Sequence, residues 1–459
     1  MNVHLTSAGL TRRGFLMGCA GALAGGRMRI DAKGQRGPSL AWRDSPLERR
    51  GESAASMWLR GVRPDLALEP TPSIDWELAR EILQARYPDL RRRFVFEYYP
   101  WYATDPYRHW DEMGRRPPTD LAAPSMPLLG AYDSRSRRVV EQHARWIADS
   151  GVGAINVSWW GRDSFCDRAV PLLMDVMRAH DIRVTFHLEP YRDDRALNFV
   201  DDVLYLLREY GDRRGWDAFL LLPDASGAVG PVFKSFRTIV PSTVTDCLGV
   251  THPVPDYTPD DFWRWQTDRL RGELRGAFDR IVLLADSLDV ARTVSAGFDG
   301  VAVYDNYVAP AMWPTIARWC APANLLFSFN LNAGADPVLP RELVDDPCYS
   351  PARFEPDVGP ITWGTSEERA RARMAGEQRM LESLTRTVQL QLDTDAANFH
   401  REFFLVYVNS FNEWHEGGQF EPMKSRPDLT PEELDLAYHN VEYGDYRLRY
   451  LRQLLNRLL

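Results

Sequence analysis

Apolar runs of five to seven residues recur along this chain, and between them lie longer stretches in which apolar positions return every three or four residues. The first kind of run suits a buried strand and the second an amphipathic helix, and their alternation predicts an α/β fold built on a parallel sheet. Eight candidate strands stand out, at 94–98, 154–159, 183–188, 231–236, 281–285, 300–304, 325–330 and 403–409. Eight fits a (β/α)8 TIM barrel, a single catalytic domain with long loops. A doubly wound sheet gives a similar pattern, and "WDAFLLLP" at 216–223 is an alternative fourth strand.

What favours the barrel is the chemistry where the runs end. "EYYPWYATDPYRHW" follows the first strand, "SWWGRDS" the second, "HLEPYRDD" the third, "YDNY" the sixth and "NSFNEWHEGGQ" the eighth. In a barrel all these ends meet at one face, where active sites lie. The Pro-rich segment 336–364 follows the seventh strand with little periodicity and is long enough to cover that face. The barrel is expected over 73–459, opening with a helix in "DWELAREILQARY" and closing on an amphipathic helix with Leu448, Leu451, Leu454 and Leu455 on one side.

The first 72 residues read differently. Arg12 and Arg13 precede Gly14 and a weakly apolar stretch, and Ala22-Leu23-Ala24 offers a small-residue cleavage site. This is the form of a twin-arginine export signal over 1–24, which implies a periplasmic or secreted protein. Residues 25–72, rich in Arg, Gly, Ser and Pro, read as a linker or lead-in. Cys19 falls in the signal; Cys166, Cys247, Cys320 and Cys348 remain, so one disulfide is possible and none is required. The net charge of −9 argues against a nucleic-acid partner, and no apolar run reaches the length of a membrane span. Fifteen Trp residues stand out and suit stacking on sugar rings, although packing alone also explains some of them.

The densest chemistry is in "SFNEWHEGGQFEP" at 410–422. Glu413 and Glu416 are three apart, so on a helical turn they approach a ligand from one side. The two carboxyl groups of an ordinary retaining glycosidase instead flank the scissile bond. A same-side pair suits two neighbouring oxygens of one sugar: one glutamate protonates the glycosidic oxygen while the other removes the proton of the 2-hydroxyl, and O2 attacks the anomeric carbon. A structural role, as helix caps or arginine partners, is the competing reading. Position 419 is Gln, so His415-Glu416 is not a zincin motif, and no other grouping has ligand spacing; no metal and no cofactor is expected.

"YYPWY" with "HW" after it, "SWWG", "HLEPY", "GFDG" and "SFNEWHEGGQFEP" occur in an order that resembles glycoside hydrolase family 99, the endo-α-mannosidase family, from about Phe94 to Pro422. The resemblance implies a (β/α)8 barrel that cleaves internal α-mannosidic bonds with retention through a 1,2-anhydro sugar. It implies Glu413 as the base toward O2 and Glu416 as the acid/base at the glycosidic oxygen. Tyr98, Tyr99, Trp101, Trp159, Trp160, His187, Glu189, Tyr191, Asn412, Trp414, His415 and Gln419 fall on or beside the motifs and are expected to bind an oligosaccharide or polysaccharide. His187 and Tyr191 serve equally well as packing beneath the site. Trp159 and Trp160 are adjacent on a strand and point to opposite faces, so one of them faces the sugar. The chain departs from the family at "FKSFR", with Lys234 and Phe236, and at "NLNAGADP". Its "EYGDYRLRYL" ending is more like a related group of barrels that accompany polysaccharide-assembly genes. A polysaccharide-assembly enzyme and a non-catalytic carbohydrate-binding barrel are the alternatives.

Overall fold

The computed structural model describes Ser53, Ala54, Met57 and residues 73–459, except 225 and 343–346. The twin-arginine segment and most of the lead-in lie outside the described residues.

Eight parallel strands form the barrel: β1 Phe94–Tyr98, β2 Ala154–Trp159, β3 Arg183–Leu188, β4 Val229–Ser235, β5 Val282–Ala285, β6 Gly300–Val303, β7 Leu326–Phe329 and β8 Val406–Asn409. From β1 to β7 each strand pairs with its neighbour in sequence, and β1 pairs with β8. Closure comes through β7, whose chain continues as Leu331–Asn332 and there pairs with Val408 and Asn409 of β8. The fourth strand is the 229–235 run. Leu221–Pro223, from the rival run, forms a short antiparallel partner to it.

Strand alternation sorts the side chains into two sets. Phe94, Phe96, Tyr98, Ile155, Val157, Trp159, Val184, Phe186 and Leu188 lie in the apolar layer beneath the helices. The alternate residues Val95, Ala154, Val232, Val282, Leu284, Ala302, Leu326, Leu405 and Tyr407 fill the barrel interior. Nearer the strands' C-terminal ends the inward set becomes polar, with Glu97, Asn156, His187 and Lys234 in one buried group. Every strand is buried on both faces, which is why the runs read as continuous rather than alternating hydrophobics.

Helices between the strands start and stop on local signals. Asp75 caps Trp76–Arg86 by accepting from the amides of Glu77 and Leu78, and Ser164 caps Phe165–Ala179. Thr365 and Glu368 form a capping box on the long helix Ser366–Gln391. Tyr446–Leu455 closes the ring with Leu448, Leu451, Leu454 and Leu455 buried.

Two features hold the loops of the C-terminal face together. Cys247 and Cys348 form a disulfide that joins the hairpin following β4 to the Pro-rich segment following β7, 101 residues apart in sequence; Cys166 and Cys320 are free and buried. Ser53 and Ala54, in the stretch read as a linker, are packed on the barrel: the Ser53 hydroxyl donates to Asp305 at 2.9 Å and the Ala54 amide to Asp286 at 2.7 Å.

Candidate active site

The lower layer of the mouth is a buried ion network. Lys234 donates to Oε1 of Glu97 at 2.6 Å, and Asn156 donates to Oε2 at 2.9 Å. The Nδ1 of His187 stands 3.2 Å from Glu97 and 3.6 Å from Glu189. Burial pushes the Glu97 carboxyl up, but Lys234 and His187 outweigh it and hold the group at about 2. Lys234 also lies over the rings of Tyr407 and Tyr304, at 4.5 and 5.1 Å. The "FKSFR" departure therefore places a cation under the mouth.

Above that layer the inward parity continues past the strand ends. Tyr99 and Trp101 follow β1, Trp160 follows β2, Glu189 follows β3, Phe236 follows β4 and Tyr304 follows β6. Tyr99, Trp101, Phe236 and Tyr304 form an aromatic cluster. Trp101 packs against Tyr99 at 4.8 Å and Trp160 at 6.0 Å, and its buried Nε1 has no hydrogen-bond partner among the described residues. Glu189 accepts from Ser158 at 2.8 Å, and burial raises its pKa. Trp160 donates to the same Ser158 hydroxyl.

The segment after β8 begins with a cis peptide between Asn409 and Ser410 and folds into the turn that carries the two glutamates. Glu413 is buried: its Oε1 accepts from the His415 amide at 2.9 Å, and its Oε2 has no partner among the described residues. Burial, reinforced by the neighbouring Glu416 carboxylate, pushes its pKa well above the usual carboxylate range. Glu416 is partly open to solvent, and Tyr304 donates to its Oε2 at 3.3 Å. Burial and the nearby Asp305 carboxylate raise Glu416 to about 8, although the Tyr304 hydroxyl pulls the other way. The glycines that follow have a packing reason. Gly417 has φ +66, and a Cβ there would stand 2.0 Å from the Asp336 carbonyl, because the post-β7 loop bonds directly to the turn.

Other expected residues lie outside this cluster. Tyr98 and Trp159 point into the helix layer, where Tyr98 bonds His143 and Trp159 donates to Asp167 at 2.7 Å. Trp414 is fully buried and donates to Glu421. Asn412 clamps Tyr99 by accepting from its amide and donating to its carbonyl. Gln419 is buried and accepts from Arg447. Tyr191 donates to Asp202 and lies against Gly161, whose φ is +92 and whose Cβ would stand 3.0 Å from that ring. His187 belongs to the ion network. Tyr99, Trp101, Trp160, Glu189, Glu413, His415 and Glu416 are the expected residues whose side chains gather around the mouth.

Sequence reading did not single out Tyr304, His109 or Glu112. Tyr304 was visible as the first residue of "YDNY", at a strand end. His109, Glu112 and His415 each bring one polar atom within 4.8 Å of the others. Within the group His415 Nε2 lies 2.7 Å from the His109 carbonyl, and His109 Nδ1 lies 2.7 Å from Glu112.

A closed parallel barrel with paired carboxyl groups and aromatic rings at its C-terminal mouth is the architecture of a glycoside hydrolase. Residues 94–219 match the model of glycosyl hydrolase family 99. A glycoprotein endo-alpha-1,2-mannosidase-like protein of Danio rerio is 26% identical over 385 residues, covering 75% of this chain and 74% of its own. The glycoprotein endo-alpha-1,2-mannosidase of Rattus norvegicus is also 26% identical, covering 76% and 70%. In fold, the chain is similar to the GH99 endo-alpha-mannosidase from Bacteroides thetaiotaomicron, with a TM-score of 0.54, 20% identity, and coverage of 80% of this chain and 97% of that one. The chain is a glycoside hydrolase that resembles family 99 in sequence and in fold.

Proposed function

We propose that this protein is an exported, endo-acting retaining hydrolase of internal α-mannosidic bonds that works through a 1,2-anhydro sugar. The observation that carries the reading is the contrast between the two glutamates of one turn. Glu413 offers a buried, unpartnered Oε2, as a base toward a substrate hydroxyl requires. Glu416, raised to about 8, keeps its proton near neutral pH, as a general acid requires.

In the first step the Oε2 of Glu413 takes the proton of the 2-hydroxyl, O2 bonds to C1, the C1–O glycosidic bond breaks, and Glu416 gives its proton to the departing oxygen. In the second, Glu416 as carboxylate takes a proton from water, the water oxygen bonds to C1, the C1–O2 bond opens, and Glu413 returns its proton to O2. An internal nucleophile is already in place and needs no second carboxylate across the ring. Trp101, Trp160 and Tyr99 supply faces for the sugar, and Glu189 an acceptor for a hydroxyl. Export is supported by the disulfide Cys247–Cys348, a bond that persists in oxidising compartments.

The test is to incubate the protein with α-mannan and with a matched substrate lacking the 2-hydroxyl. Oligosaccharides released with retained configuration from the first, and none from the second, are expected. Equal cleavage of the 2-deoxy substrate would remove O2 as nucleophile. Glycan binding without turnover would leave a binding barrel.

A further inference from the structure

A buried carboxyl held well above its usual range must shed its proton before it acts as a base, and the His415 ring stands beside Glu413 with Nδ1 3.5 Å from Oε1. We infer that His415 Nδ1 accepts the proton of Glu413, and that Glu112 and the His109 carbonyl hold the imidazole in place for that exchange. The inference rests on the assignment of Glu413 as base made above.

The geometry fixes which nitrogen is which. His415 Nε2 lies 2.7 Å from the carbonyl oxygen of His109, and a carbonyl only accepts, so Nε2 carries hydrogen. That leaves Nδ1 for the other side, where Oε1 of Glu413 stands 3.5 Å away. His109 presents its carbonyl from a left-handed backbone, φ +61, an uncommon conformation for a residue with a side chain. Its ring is pinned from both sides, stacked on Trp101 at 4.5 Å and set with Nδ1 2.7 Å from Oε1 of Glu112. The second oxygen of Glu112 faces His415 Nε2 at 3.8 Å.

Carboxyl groups flank the His415 ring. Glu413 lies on one side, with Oε1 3.5 Å from Nδ1, and Glu112 on the other, with Oε2 3.8 Å from Nε2. Glu112 is itself kept ionised: burial pushes its pKa up, but His109 and His415 more than offset this, with a smaller contribution from Arg108. Burial lowers the pKa of His109, against the opposing pull of Glu112. Tyr102, packed at 6.1 Å, is raised by burial and brings no charge. In the exchange the O–H bond of Glu413 breaks and an N–H bond forms at Nδ1, converting a neutral pair into carboxylate and imidazolium. Glu413 then cycles one proton with the substrate's O2 while the imidazolium persists. His415 and Glu112 are thus positioning residues that act through Glu413.

Nitrogen-15 spectra of the His415 ring read the exchange directly and need no substrate. Near neutral pH we expect both ring nitrogens protonated in the wild type, and Nε2 alone in Glu112→Gln and in Glu413→Gln. On α-mannan, Glu112→Gln should move the acidic limb of kcat/KM upward by about one pH unit, roughly tenfold in rate on that limb, with KM and circular dichroism unchanged. A ring protonated only at Nε2 in the wild type would overturn the proposal, and so would a ring state indifferent to both substitutions. Should Glu112→Gln fail to fold, the Glu413→Gln spectrum decides alone. A doubly protonated ring in a protein that cleaves no glycan would leave the relay standing and remove the base assignment instead.

Discussion

The hydroxyl of Tyr304 donates to Oε2 of Glu416 at 3.3 Å and accepts from the Tyr99 hydroxyl at 2.6 Å, tying the acid after β8 to the ends of β6 and β1. Three strand ends that are distant in sequence therefore set one proton donor. The pairing also favours the ionised form of Glu416, against burial.

The basic limb of kcat/KM should fall near pH 8, where Glu416 loses its proton. Tyr304→Phe removes a hydrogen bond to the charged form, so the limb should move to higher pH. Glu416→Gln should lose activity on natural glycan yet recover part of it with an activated leaving group, because such a group needs little protonation. Equal loss on both substrates would argue against the acid role. Stability has a matching sign. The folded protein holds this proton more tightly than the unfolded chain, so the contribution is complete below the ordinary carboxylate pKa and is lost as pH rises through about 8. Glu416→Gln should remove that slope, on the order of 1 kcal/mol after solvent screening, as read by urea unfolding at two pH values.

Trp159 and Trp160 should separate cleanly. Trp160→Ala removes a ring at the mouth and should raise KM by about tenfold, or about 1.4 kcal/mol, with little change in unfolding midpoint. Trp159→Ala empties a buried site and breaks the bond to Asp167, so it should cost about 3–5 kcal/mol of stability. Kinetics and denaturant melts on both variants distinguish the two.

The Glu97–Lys234 pair lies in the barrel interior, where removing one partner strands a buried charge. Lys234→Met should cost about 3–5 kcal/mol, and adding Glu97→Gln should recover much of it. Since Glu97 is held at about 2, its contribution is present above the ordinary carboxylate range and lost as pH falls toward that value. Guanidinium unfolding of the single and double variants measures the coupling.

Reducing Cys247–Cys348, or replacing both with Ser, should lower stability by about 2–4 kcal/mol, the usual range for a disulfide. The bond ties together two loops of the mouth, so KM should rise as well. Thermal melts with and without reductant, paired with kinetics, give both readings.

Much of the barrel was legible because its cause is local. Buried parallel strands need continuous apolar runs, and β1, β2 and β3 occupy the predicted 94–98, 154–159 and 183–188. The boundary of β8 was less legible: 403–405 are apolar and buried but lie before the paired strand, which begins at Val406. Burial alone does not distinguish a strand from the chain leading into it.

Period-two alternation, which the sequence carries, requires Tyr98 and Tyr99, or Trp159 and Trp160, to face opposite ways. Which member faces the mouth depends on how eight strands register around a closed barrel, and those pairings join residues as far apart as Phe94 and Val406. The same holds for chemistry. The motif after β8 marked the two glutamates, but only closure of the barrel brought Tyr304 to one and the His109 carbonyl to the neighbour of the other, because contacts across hundreds of residues leave no spacing in the chain to read.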